Sequence, residues 1–315
     1  MVSPIRNRPA PSTFTSEAPR QTTSARSLDL FGGIKSGLEQ LGRDIKMGVD
    51  AFEASHLREL GQLFGLNTPP PDRAYDGKFV GAGGKTFAPG TALGDIPGVT
   101  PKNNPNPKET ILYVNGIMTP VSGQMREMQA IADRSGAKVV GIHNSTQGLT
   151  ADLAQCVTDK ADKGHNPAVD TLADTLYSEL KAGRDVHLMG YSQGGIITAR
   201  ALQDVSQRLQ VEDGLTKAQA EQVMSHLKVE TFGAASFRYV DGPKYVHYVN
   251  NADPVPTLTG LGGNLDPLEF AKHAGKDAVI HRFTDGTLDL IGNHMLDTLY
   301  MPHRVPFDEA RQGRF

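Results

Sequence analysis

The chain has 315 residues, enough for one large domain with extensions or for two small domains. Its 32 basic and 35 acidic residues give a net charge of −3, which argues against nucleic-acid binding. The single cysteine, Cys156, excludes an intrachain disulfide. No apolar run reaches the length of about 18 residues that a membrane-spanning helix needs. No residue cluster has metal-ligand spacing, so we expect neither a metal nor another cofactor.

Residues 1–28 are predicted to be a disordered leader. They are rich in Ser, Thr, Pro and Gln, and they contain four arginines against one acidic residue. No apolar core of a Sec signal peptide is present. The composition resembles organelle transit peptides and the export leaders of bacterial effectors, and a plain disordered tail fits it equally. We therefore expect a protein that is either cytoplasmic or exported by a specialised secretion system.

Residues 29–66 are predicted to form a helical extension, because apolar residues recur every three or four positions. The stripe consists of Ile34, Leu38, Leu41, Ile45, Val49 and Phe52. The polar face carries charges of both signs, which favours packing on the protein's own domain over peripheral contact with a membrane. Residues 67–108 contain clusters of proline and glycine, so we expect a long irregular connection.

From residue 109 to residue 315, strand and helix patterns alternate, which predicts one domain with a mainly parallel sheet flanked by helices. The predicted strands are 109–115, 137–143, 185–190, 229–233, 244–249 and 278–283, and the predicted helices are 123–135, 169–182, 195–210 and 216–227.

The motif G-x-S-x-G occurs at residues 190–194, between the apolar strand 185–190 and the helix that follows. A strand, this motif and a helix in that order are typical of a nucleophile elbow, in which a strained turn exposes a serine. Ser192 is therefore the candidate nucleophile. The alternative is a glycine-rich joint in which the serine has no chemical role.

A candidate acid and a candidate histidine follow in the chain order expected for this elbow. Asp253 leaves the end of strand 244–249 in a proline-stiffened loop, although Asp-Pro is also common in ordinary turns. Asp285, after the last strand, is the second candidate acid. His294 follows the last strand and a polar loop, and it opens a short predicted helix, whereas His187, His247 and His281 lie inside strands.

The negative charge of a tetrahedral intermediate requires backbone N–H donors. One is expected from Gln193, the residue after the nucleophile, and another from Ile117 or Met118, in the loop after strand 109–115. Gly116 allows the chain to turn there, and Gly116 and Tyr191 are candidate substrate-binding residues. Asn115-Gly116 is also an ordinary turn signal.

Two insertions, 145–167 and 257–277, interrupt the pattern. The second contains residues 258–263, which are apolar and glycine-rich, a composition that suits a lid over an acyl pocket. A mobile surface loop fits the same composition equally.

The elbow residues 190–194 are similar to those of cutinase-like and related esterases. Residues 251–256, and His294 with Tyr300, resemble the acid and histidine segments of class 3-type lipases and of bacterial phospholipase effectors. The resemblance covers residues 109–303 and implies an α/β-hydrolase fold. Two features depart from it: the chain lacks the disulfides of cutinases, and Asn115-Gly116 stands where lipases often have His-Gly.

These observations predict a serine hydrolase that cleaves carboxylic esters through Ser192, Asp253 and His294. The resemblance implies a lipid, phospholipid or small ester as substrate. An acyltransferase or a peptidase would use the same three residues, and a non-catalytic binding protein on the same scaffold is a further alternative. The sequence indicates no oligomeric state.

Overall fold

The computed structural model describes residues 72–145, 166–236, 238–261, 273–287 and 292–315. Eight strands lie within these ranges: β1 (Phe79–Val80), β2 (Thr86–Phe87), β3 (Thr110–Val114), β4 (Lys138–Ile142), β5 (Val186–Tyr191), β6 (Leu227–Phe232), β7 (Lys244–Asn250) and β8 (Val279–Phe283). They form one sheet in the order β2-β1-β4-β3-β5-β6-β7-β8. The six strands from β3 to β8 are parallel to one another, and β1 is antiparallel to its neighbours.

The main helices are α1 (Val121–Ser135), α2 (Pro167–Lys181), α3 (Gln193–Val211), α4 (Lys217–Met224) and α5 (Pro254–Thr259). Near the C-terminus lie a 3₁₀ turn (Gly292–His294), a π-helix (Leu296–Tyr300) and the short helical turns Met301–His303 and Phe307–Ala310. The chain therefore has an α/β fold, and this prediction is confirmed. None of the described helices has the length and apolarity needed to cross a bilayer.

The sheet is buried on both faces, because successive side chains of a strand point to opposite sides. In β3, Leu112 and Val114 face a core built with α2 and α3, whereas Ile111 and Tyr113 face a second core. Helix α1 and the C-terminal segment around Phe307 cover that second core. The fold thus has three layers, with the sheet in the middle.

The irregular connection predicted for residues 67–108 is wrong in part. β1 extends the sheet by pairing with β4, with Phe79 opposite Ile142, and β2 pairs with β1. Each of these strands has two residues, which is too short to produce a detectable alternation in the sequence. The sheet therefore includes residues that precede position 109.

Several predictions fall on other parts of the chain. The leader (1–28), the helical extension (29–66) and Cys156 lie outside the described residues, as do 146–165 of the first insertion and 262–272 of the second. The lid prediction is thus tested only at its start, where Gly260 follows α5 and Leu261 is buried.

Candidate active site

The candidate site lies at the carboxyl edge of the parallel strands, where ligands generally bind in sheets of this type. Ser192 follows β5 directly, Asp253 follows β7 by three residues, and His294 follows β8 after a connection. Because parallel strands all end at the same edge, these three residues of distant sequence meet there.

Ser192 occupies the turn between β5 and α3 in a strained conformation. Its φ of 56° and ψ of −122° lie outside the regions that a residue with a side chain usually adopts. The turn is tight: a Cβ on Gly190 would lie 2.6 Å from Thr198 Oγ1, and one on Gly194 would collide with the carbonyl oxygen of Val114. The two glycines of the motif are therefore required by the close approach of strand and helix.

The three predicted side chains form a continuous hydrogen-bonded chain. His294 Nε2 lies 2.8 Å from Ser192 Oγ, and His294 Nδ1 lies 2.6 Å from Asp253 Oδ2. A carboxylate can only accept, so Nδ1 carries the proton and Nε2 accepts from the serine hydroxyl. Asp253 has no exposed surface, and the exposed fractions of Ser192 and His294 are 3% and 8%. This arrangement can move a proton from the serine to the imidazole.

Asp253 is fixed by three donors. Its Oδ1 accepts the backbone N–H of Val255 (2.9 Å), so the residue caps helix α5. Its Oδ2 accepts from His294 and from the hydroxyl of Tyr300, at 2.6 Å and 2.5 Å. The sequence predicted a plain loop here, because two prolines in six residues obscure a helix of a single turn and a half.

The second candidate acid does not reach the site. Asp285 Oδ2 lies 3.2 Å from His303 Nε2, and the side chain of Asp285 is 59% exposed. The choice of Asp253 over Asp285 therefore agrees with the geometry.

Tyr191 supports the histidine from the neighbouring strand. Its ring stacks on the imidazole of His294 with centroids 5.0 Å apart, and its hydroxyl donates to the backbone carbonyl of His294. The ring is buried, with an exposed fraction of 6%. These are the contacts observed for Tyr191, and its predicted contact with substrate stays a prediction.

Two buried asparagines hold the connection that carries His294. Asn250 Nδ2 donates to the carbonyl oxygens of Asp285 (2.7 Å) and Asn293 (3.2 Å). Asn293 in turn accepts the N–H of Thr287 (2.8 Å) and donates to the carbonyl of the same residue (2.9 Å). No sequence motif predicts a role for either asparagine, and the one available signal is the position of Asn250 at a strand end.

The predicted oxyanion loop is joined to helix α3 by a network of side-chain amides. Asn115 Oδ1 accepts the N–H of Asn144 (2.8 Å), and Asn115 Nδ2 donates to the carbonyl oxygens of Gly116 (2.8 Å) and Asn144 (2.9 Å). Asn144 Nδ2 donates to Gln193 Oε1 (2.8 Å). All three amide side chains are fully buried. The network thus ties together the ends of β3, β4 and β5, and it gives Asn115 a role beyond the turn signal.

The candidate donors belong to two segments, the start of α3 and the turn before α1. Gln193 is the first residue of α3, so its backbone N–H group lies in the first turn of the helix. Ile117 and Met118 lie in the turn before α1, and Met118 has a φ of 56°. Gly116 packs against Ser192, since a Cβ there would lie 2.9 Å from the Cβ of that serine. The predicted role of Gly116 in substrate binding stays a prediction.

Glu127, on helix α1, has a carboxyl group with a raised pKa. The hydroxyl of Tyr113 donates to Glu127 Oε2 (2.7 Å). Burial, opposed by that hydrogen bond and assisted by the charge of Asp297, raises the pKa of Glu127 to about 7.

A second polar cluster is buried towards the amino ends of the strands, away from the site. Glu230 accepts from Arg304 (2.9 Å) and from His187 (2.7 Å), which also contacts Glu109 (2.8 Å). Although burial opposes it, the positive charge of Arg304 helps to lower the pKa of Glu230. This cluster attaches the C-terminal segment to the sheet. In the described part of the chain, no group of three or more His, Cys, Asp and Glu residues is arranged to hold a metal ion.

Comparison of the chain with protein-family models and with curated proteins finds no match to either.

Proposed function

We propose that the protein is a serine hydrolase of the α/β-hydrolase type that cleaves carboxylic esters through an acyl-enzyme. One observation carries the proposal: Ser192, His294 and Asp253 form an unbroken hydrogen-bonded chain, and the serine sits in a strained turn between strand and helix. A joint in which the serine had no chemical role would not need the buried imidazole and carboxylate aligned with its hydroxyl.

The proposed reaction has two steps. Ser192 Oγ attacks the ester carbonyl carbon while His294 Nε2 takes its proton, and the same proton then passes to the departing alcohol. The acyl group is now bonded to Oγ. A water molecule, deprotonated by His294, attacks the acyl carbon. His294 then returns this proton to Ser192 Oγ as the bond between Oγ and the acyl carbon breaks, which releases the carboxylic acid and restores the enzyme. Asp253 stabilises the imidazolium that forms in each step.

The oxyanion of each tetrahedral intermediate needs donors that are already in position. We assign this role to the backbone N–H of Gln193 and to that of Ile117 or Met118. The buried network of Asn115 and Asn144 supports this assignment, because it fixes both segments relative to each other before substrate arrives.

A lipid or phospholipid ester is the proposed substrate class. This proposal depends on the resemblance to class 3-type lipases and phospholipase effectors and on the predicted lid and amphipathic helix. Peripheral contact with a membrane is proposed on the same grounds. A location in the cytoplasm, or export by a specialised secretion system, is proposed from the composition of residues 1–28.

The deciding experiment is reaction of the purified protein with a fluorophosphonate probe, followed by assays on lipid and short-chain esters. Wild type should be labelled and should hydrolyse esters, and Ser192→Ala should do neither. Ser236→Ala is the matched control, because Ser236 is also buried and donates to the carbonyl of Arg238 (3.3 Å). It should behave as wild type.

Other outcomes identify the alternatives. A folded wild type without labelling would favour the non-catalytic binding protein. Labelling with transfer of the acyl group to an added alcohol or amine, or with cleavage of a peptide, would indicate an acyltransferase or a peptidase.

A further inference from the structure

Tyr300 contacts the carboxylate of the triad from outside it. It is the last residue of the π-helix that follows His294, and its side chain has no exposed surface. Its hydroxyl oxygen lies 2.5 Å from Asp253 Oδ2, the same oxygen that lies 2.6 Å from His294 Nδ1. One carboxylate oxygen is therefore shared between the tyrosine and the histidine.

The direction of this hydrogen bond is fixed by its neighbours. The backbone N–H of Asn250 can only donate, and it does so to the hydroxyl oxygen of Tyr300 (3.4 Å). The hydroxyl proton is therefore directed to Asp253. Burial and the negative charge of Asp253 raise the pKa of Tyr300 well above its usual range, so the hydroxyl remains a donor throughout the working pH range.

The surrounding core holds the ring of Tyr300 in place. It packs edge-on against Phe232 and Phe283, with centroids 6.4 Å and 5.5 Å away. Space for the hydroxyl is left by Gly233, where a Cβ would lie 2.8 Å from Tyr300 Oη and 3.0 Å from Asp253 Oδ2. Gly233 also has a φ of 52°, which disfavours a side chain.

We propose that Tyr300 is a positioning residue of the triad, acting through Asp253. Its hydroxyl keeps Oδ2 aligned with the imidazole and withdraws part of the carboxylate's charge from it. Without the hydroxyl, the full negative charge of the Asp253 carboxylate acts on the imidazolium of His294. The imidazolium then keeps its second proton to a higher pH. The reaction needs a neutral imidazole, with Nε2 free to accept the proton of Ser192. The hydroxyl of Tyr300 therefore extends activity to lower pH. This inference depends on the proposed function for its catalytic meaning.

The test is Tyr300→Phe, which removes only the hydroxyl. At neutral pH we expect kcat to fall by about tenfold or more with little change in KM, because the charged hydrogen bond is lost and the ring's packing is kept. The acidic limb of the kcat/KM profile should move to higher pH by about one unit. A role limited to packing would leave this limb in place.

Tyr248→Phe is the matched control. Tyr248 is also fully buried, stacks on the same Phe232 at 4.7 Å, and uses its hydroxyl to accept the N–H of Val305 (3.4 Å). It should leave both kcat and the pH profile unchanged. If Tyr300→Phe fails to fold, 3-fluorotyrosine placed at position 300 keeps the shape and strengthens the donor, and it should move the acidic limb to lower pH.

A second measurement does not require activity. The Nδ1–H proton shared by His294 and Asp253 should give a far-downfield proton NMR signal, assigned by its loss in His294→Ala. The chemical shift of this signal changes as the imidazole gains its second proton. The pH midpoint of that change should rise in Tyr300→Phe. An unchanged midpoint, or an unchanged acidic limb in an active enzyme, would overturn the inference. A shifted midpoint in a wild type that neither hydrolyses esters nor reacts with the probe would refute the proposed function while keeping the role of Tyr300.

Discussion

Asp253→Asn tests the orientation of the whole triad with a change of one atom. The N–H of Val255 lies 2.9 Å from Oδ1, so it requires an acceptor at that position. The asparagine oxygen must therefore face Val255, and its NH2 group must face His294 and Tyr300. A donor opposite Nδ1 forces the imidazole to carry its proton on Nε2 instead. In that tautomer the imidazole cannot accept the proton of Ser192.

The expected loss follows from this wrong tautomer. We expect kcat to fall by about 10⁴-fold, or about 5.5 kcal/mol in the activation barrier, with KM nearly unchanged. The assay is hydrolysis of a chromogenic short-chain ester across pH, with the rate of fluorophosphonate labelling as a second readout. Denaturation by urea should show a folded protein, because the substitution replaces a buried charge with a neutral amide of the same shape.

Asp285→Asn is the matched control, since Asp285 is an exposed acid of the same region and contacts His303 rather than His294. It should keep wild-type kcat. An Asp253→Asn enzyme within about tenfold of wild type would refute the tautomer argument. A large loss in Asp285→Asn would mean that the acid had been misassigned.

Three further substitutions test other parts of the structure. Gly233→Ala should lower kcat by about tenfold and destabilise the protein by about 1 kcal/mol or more. The added methyl group would meet the hydroxyl of Tyr300, and the residue has a positive φ. Kinetics measure the first effect, and urea denaturation measures the second. Glu127→Gln should raise stability at pH 8 by up to about 3 kcal/mol and have little effect at pH 4, with solvent screening reducing the gain because the side chain keeps some exposure. The pKa of Glu127 is about 7 in the folded protein against 4.5 in the unfolded chain, so the stability of the wild type falls as pH rises through this window. An equal pH dependence of wild type and variant in urea denaturation would contradict this prediction. Arg304→Met should cost about 3 kcal/mol by leaving the charge of Glu230 buried without its partner, and Glu230→Gln in the same chain should recover part of that loss in thermal melts.

The regular elements could be predicted because their signals are local. The helix predicted at 169–182 runs from Pro167 to Lys181, and the strand predicted at 244–249 runs from Lys244 to Asn250. In the helix, the spacing of apolar residues reports which face is buried, whereas the strand is recognised by its β-branched and aromatic residues. Strands β1 and β2 were missed for the opposite reason, since two residues carry no period, and their place in the sheet depends on contact with β4.

The residues of the candidate site also differ in whether a local sequence pattern predicts them. Ser192 could be found from the sequence because the elbow imposes residue types on a five-residue segment. Asp253 and His294 were predicted from chain order and from their positions after strands, and Asp285, one strand later than Asp253, stayed the second candidate acid. The contributions of Asn115, Asn144 and Asn293 could not be predicted, because each amide donates to a residue that is 29 or more positions away.

The sequence by itself determined the alternation of strands and helices, the position of the strained serine and the order of its candidate partners, since these depend on neighbours within one element or one turn. The tertiary structure alone decided which acid meets the imidazole, which amides hold the two donor segments together and that a tyrosine hydroxyl shares the carboxylate. The physical reason is that hydrogen bonds of this site join residues up to 103 positions apart, and only the parallel ends of a folded sheet bring such residues within reach.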